Sequence, residues 1–128
     1  MTTIPRRAGF AAIAAAALAF AAPAQANTQF CGGALVADSV YQTVTANSSG
    51  ARVEFFLQLR NSRGQPVSYR LEVQNHHLHG RPDAHRQRSL PAWQSERISL
   101  GYVTVQNPSG TGAPTVAEVA GSIRITCS

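Results

Sequence analysis

The chain has 128 residues, eleven basic side chains against six acidic ones and a formal net charge of +5, and every basic residue is arginine. That length bounds it to one domain with a thin core. Two of the arginines, Arg6 and Arg7, precede everything that looks folded; the nine that remain form no dense stripe with interleaved aromatics, which excludes a nucleic-acid binder. All-arginine usage suits planar carboxylate or phosphate partners, and a GC-rich codon bias produces it equally well.

Residues 1–26 read as a secretory signal. Arg6-Arg7 is a positive n-region, Ala8–Ala22 an alanine-rich apolar run, and Ala24-Gln25-Ala26 a small-x-small cleavage site, so the exported chain is expected to span 27–128. Pro23, Gln25 and Asn27 interrupt the apolar run before it reaches the roughly 20 residues a membrane span needs, so no span is expected after cleavage. Phe10 shortly after Arg6-Arg7 leaves twin-arginine export open beside the general route. The leader's composition points to a bacterial source and a periplasmic or secreted destination, where thiols oxidise. The only cysteines, Cys31 and Cys127, are therefore expected to pair. A disulfide needs Cα atoms roughly 5–6 Å apart. The first and last strands must then be neighbours or face each other across the core.

Strand signals run through the rest. A strand is expected near Cys31–Ala37, and another over the β-branched Ser39–Ala46, which ends in the turn run Asn47-Ser48-Ser49-Gly50. In Ala51–Arg60, Val53, Phe55, Leu57 and Leu59 alternate with Arg52, Glu54, Gln58 and Arg60; in Val67–Gln74, Val67, Tyr69, Leu71 and Val73 alternate with polar residues. Strict period-2 alternation marks half-buried antiparallel strands. The short Asn61–Pro66 connection predicts that these two form a β-hairpin, with Glu54 and Glu72 in cross-strand pairs with arginines.

Arg97–Val105 alternates through Ile98, Leu100 and Tyr102, with Gly101 marking a bulge. A breaker-rich loop follows over Asn107–Pro114, then a short strand around Thr115–Val119. Ser122–Cys127 places Ile123, Ile125 and Cys127 on one face. No segment after the leader has a helical period. Six to seven short strands in this length predict an all-β fold, a small antiparallel β-sandwich of immunoglobulin-like layout. The cysteines sit at its ends rather than on two central strands as in antibody domains.

Asn75–Ser89 holds all four histidines, His76, His77, His79 and His85, together with Arg81, Arg86 and Arg88. If the preceding strand continues, His77 and His79 share a face, and a turn at Gly80–Ala84 returns His85 toward them. Three imidazoles with Asp83 make a candidate Cu²⁺ or Zn²⁺ site. The arginines oppose a cation and suit an anion or acidic partner instead. Trp93 is expected as a plug at the edge of the core or, with Arg81, Arg86 and Arg88, as a recognition aromatic. Phe56, apolar on the polar face of its strand, either packs under a loop or marks a partner-binding patch.

Catalytic residues are not expected. There is no Gly-x-Ser-x-Gly elbow, no phosphate-cradling glycine loop and no CxxC pair. The pattern reads as a small exported, non-enzymatic protein of binding or structural type, with a protein or small anionic ligand as partner. Two alternatives are a periplasmic copper/zinc-binding protein using the His76–His85 loop, and a pilus-type or cell-surface adhesion subunit.

Overall fold

The computed structural model describes residues 28–128 of the chain. The expected leader and cleavage site lie outside the described residues. Seven strands and one short helix follow in order: β1 Thr28–Phe30, a 3₁₀ turn Cys31–Gly33, β2 Leu35–Asn47, β3 Gly50–Asn61, β4 Val67–Val73, β5 Arg88–Leu90, β6 Ser95–Val105, α1 Val116–Gly121 and β7 Ile123–Cys127. They make two antiparallel sheets, β1-β2-β3-β6 and β5-β4-β7. The result is a small two-layer β-sandwich. Its strand order differs from that of immunoglobulin constant domains.

The expected hairpin between residues 51–60 and 67–74 does not form. β3 pairs with β2 and β6, whereas β4 pairs with β5 and β7 in the other sheet. Two adjacent strands with matching apolar faces can pair edge to edge or lie face to face. Here residues 62–66 carry the chain across the sandwich, and the two apolar faces meet as opposite walls of one core. Glu54 and Glu72 consequently point away from each other on different sheets. The hairpin lies one connection earlier, where Ser48 and Ser49 join β2 to β3 and Asn47 pairs with Gly50. The Asn47 carboxamide accepts from the Ser49 backbone N–H at 2.9 Å, an Asx turn.

The core contains Leu35, Val40, Val53, Phe55, Leu57, Leu59, Ile98, Leu100 and Val103 from one sheet, and Tyr69, Leu71, Val73, Leu90 and Ile123 from the other. Ala37 of β2, Leu78 inside the histidine-rich loop and Val119 on α1 complete it. Cys31 and Cys127 are disulfide-bonded with Cα atoms 5.9 Å apart. The bond ties the turn after β1 to β7, so it pins one sheet to the other at the end of the sandwich.

Two local expectations are revised, and a third is met with a consequence for the strand that carries it. The strand near Cys31–Ala37 is broken, because Cys31, Gly32 and Gly33 all take positive φ (58°, 67° and 93°) between β1 and β2. Thr115–Val119 is the start of a helix rather than a strand: the Thr115 hydroxyl accepts from Glu118 N–H at 3.1 Å, and the Glu118 carboxylate accepts from Thr115 N–H at 2.8 Å. This reciprocal capping box outweighs the β-branched residues around it. The bulge at Gly101 is present, with Phe55 opposite Gly101 and Phe56 opposite Ser99, leaving Leu100 as the extra residue. It shifts the alternation of β6, so Val103 turns inward and Tyr102 faces outward, opposite to the unbroken pattern.

Candidate functional site

The histidine-rich segment does not extend β4. That strand ends at Val73, and residues 74–80 cross from one sheet to the other, with Leu78 as a buried peg. His79 then pairs with Tyr102 on β6: His79 N–H donates to Tyr102 O at 2.8 Å, and Tyr102 N–H donates back at 2.9 Å. The close approach requires Gly101, where a Cβ would sit 2.8 Å from the His79 carbonyl oxygen.

His77 and His79 line an open cleft of about 410 Å³ with Asn75, Val103, Pro114 and Glu118. Glu118 is held below the usual carboxylate range by the Thr115 backbone N–H, then by the Thr115 hydroxyl, with a smaller contribution from His77. Neither Asp83 nor His85 lines this cleft. Asp83 instead accepts from His85 N–H at 2.9 Å to close its own turn. Among the described residues no group of three His, Cys, Asp or Glu side chains is placed to hold a metal ion. The expected set of His77, His79, His85 and Asp83 is therefore not assembled, because the chain leaves the strand before reaching the histidines.

The arginines of this loop also part company. Arg81 donates to Val73 O at 3.1 Å and lies 3.4 Å from His76 Nδ1. Arg86 is exposed, and Arg88 stands in β5 opposite Tyr69. Tyr69 is buried, and its hydroxyl is pushed up to about 12, first by that burial and then by the Glu96 carboxylate 3.4 Å away, with Arg88 opposing. Trp93 is not a core plug. It is 67 % exposed, adopts φ 63°, and lays its indole 3.4 Å from where a Cβ on Gly64 would be.

Phe56 belongs to a different arrangement. The outer face of β2, β3 and β6 is laid out in rows across the strands: Ser39, Gln58 and Arg97; Tyr41, Phe56 and Ser99; Thr43, Glu54 and Tyr102; Thr45, Arg52 and Thr104. Tyr41 and Phe56 stack with ring centroids 5.5 Å apart. The Arg97 guanidinium lies over Phe56 at 4.8 Å, and that of Arg52 over Tyr102 at 3.7 Å. Cation–π contact holds each guanidinium flat while leaving its N–H edge toward solvent. Arg60, by contrast, is committed to Asp38 through a bidentate pair at 3.0–3.2 Å.

Comparison of the chain with family models, curated proteins and solved structures finds no match. The site is thus defined by its own geometry. Of the five residues singled out for partner binding, only Phe56 sits on this face. Tyr41, Arg52, Arg97 and Tyr102 join it there, and none stands out in the sequence. Two of them were visible as outward residues of alternating strands, but Tyr102 is turned outward only by the bulge.

Chemically, the face offers two immobilised cationic forks, a stacked aromatic pair and a row pattern of hydroxyl and amide groups.

Proposed function

We propose that this chain is an exported, non-enzymatic binding module that engages its partner through the outer face of β2, β3 and β6. The observation that carries the reading is the pair of arginines stacked on aromatics there. An arginine on a plain polar surface samples many rotamers, whereas these two are pre-ordered and so lose less entropy on binding. The secretory leader read from residues 1–26, and the inter-sheet disulfide, support a destination outside the cytoplasm.

Site-specific photo-cross-linking from Thr43 and Thr104, in cells exporting the protein, tests this. Cross-linked material is expected at these positions and not at Arg70 or Arg124, which face outward on the other sheet. Equal capture from both sheets, or none from this face, overturns the reading.

A second reading rests on β2. Its outer edge pairs with β1 only over Leu35–Ala37. Among the described residues, Val40–Asn47 has no strand on the side away from β3 and carries neither charge nor proline, two of the devices that protect an edge. Strand addition by an adhesion or pilus-type neighbour would use that edge. Protein that stays monomeric at high concentration, and gains no strand from added β2-edge peptides, counts against it.

A further inference from the structure

We infer that the ligand of this face is an acidic polysaccharide, a polymer carrying carboxylates on a hydroxyl-rich backbone. The inference rests on the binding-module reading and specifies its ligand. The two guanidinium groups lean from the outermost rows toward the middle of the face. The rings they cover are one row apart, about 7 Å along the strands. Neither Arg52 nor Arg97 is within ion-pair distance of a carboxylate among the described residues, where Arg60 and Asp38 make the sole pair. Each therefore presents a free N–H edge of the geometry that carboxylates accept in bidentate fashion.

The surroundings select among anions. Thr43, Thr45, Ser99 and Thr104 are exposed on the same rows and can exchange hydrogen bonds with sugar hydroxyls. The faces of Phe56 and Tyr102 are covered by arginine, and Phe56 is stacked on Tyr41 as well. Those covered ring faces are closed to the base stacking on which single-stranded nucleic acids rely. An extended acidic peptide binds best where its backbone can pair, along a sheet edge, rather than across the side chains of a sheet face. Glu54 is the counterweight. It sits between the two arginines, accepting from Ser99 Oγ at 3.1 Å, and its charge disfavours any anion bound there.

Titration of the exported protein with galacturonate oligosaccharides at low salt tests the inference, with neutral galactose oligomers and polyglutamate as comparators. Galacturonate is expected to bind, the neutral oligomers not, and polyglutamate at least tenfold more weakly. Arg52→Ala with Arg97→Ala should weaken galacturonate at least tenfold while leaving the melting temperature within a few degrees. Glu54→Gln should tighten it, and Arg86→Ala should leave it unchanged. Absence of galacturonate binding, equal binding of the neutral oligomers or of polyglutamate, or indifference to the Arg52/Arg97 pair overturns the ligand class. If cross-linking stays confined to this face while galacturonate fails, the ligand class falls and the face stands.

Discussion

The Asn61 side-chain nitrogen donates to the Leu90 carbonyl at 3.0 Å, from the end of one sheet to the end of the other. Asn61 is fully buried, and the same nitrogen lies 2.9 Å from Gln65 O and 3.2 Å from Pro91 O, while its oxygen accepts from Arg63 N–H at 2.8 Å. One carboxamide thus holds together the arch between β3 and β4 and the loop after β5. Asn61→Ala strands the buried Leu90 carbonyl, worth about 1–3 kcal/mol when left unpaired, and loosens three part-buried backbone contacts around it. A loss of about 2–4 kcal/mol in urea unfolding is expected. A loss below about 0.5 kcal/mol would remove Asn61 from this role.

The disulfide acts at the same end. It closes a loop of 96 residues, for which loop-closure entropy gives roughly 4.7 kcal/mol. Replacing Cys31 and Cys127 together with serine should cost about 2–5 kcal/mol, the usual penalty in small exported domains. Intact mass of the native protein should lie two hydrogens below the reduced chain. Two reactive thiols, or a double variant that melts within a few degrees of the native protein, contradict this.

The capping box gives α1 its place. Thr115→Ala removes the side-chain acceptor and should cost about 1 kcal/mol. Because the native Glu118 carboxyl titrates below its ordinary range, its contribution is present above the unfolded-state pKa and is lost as the pH falls through the native one. The stability difference between the native protein and Glu118→Gln, which keeps an acceptor oxygen but cannot ionise, should therefore narrow as the pH falls. A gap between them that is as wide in acid as at neutrality would refute the linkage.

How much of this was legible in the residues depends on the range of the interaction. Period-2 alternation over 51–60 and 67–73 located both strands, since each depends only on its own face. It could not say whether those faces would pair sideways or meet across a core. The contacts that hold them apart in two sheets are long-range, such as those of Asn61, whose partners lie up to thirty residues away. The disulfide was readable because the chain has only two cysteines, and a leader-like start led to the expectation that they would oxidise. The arginine–aromatic face was not, since Tyr102 points outward only because Leu100 is an extra residue in β6. The loop histidines drew notice by composition, yet the buried residue among them is Leu78. Thr115-x-x-Glu118 was a helix start in plain view, hidden by β-branched neighbours.

Trp93 offers a spectroscopic check, being the only tryptophan in the chain. At 67 % exposure over Gly64, it should emit in the native protein at nearly the wavelength of tryptophan in water. Acrylamide should quench it almost as efficiently as in the unfolded chain. Strongly blue-shifted, protected emission would instead place the indole in the core.

Tyr69 makes stability depend on alkaline pH in a way this composition isolates. The chain has no lysine, both cysteines are bonded, and arginine stays protonated, so tyrosines are the side chains that titrate between about pH 9 and 12. In the unfolded chain Tyr69 ionises near pH 10, whereas in the fold burial, assisted by Glu96, moves it up to about 12. Below pH 10 both states hold the proton and the stability is unaffected. Between 10 and 12 the unfolded chain releases it and the native one does not, so stability must fall as pH rises. Each pKa unit corresponds to about 1.36 kcal/mol, so the loss should reach about 2–3 kcal/mol by pH 12. Tyr69→Phe keeps the ring in the core and removes the titration. Urea midpoints measured from pH 9 to 11.5 should decline more steeply in the native protein than in Tyr69→Phe. Parallel declines in the two proteins would show that Tyr69 ionises in the fold as it does in water.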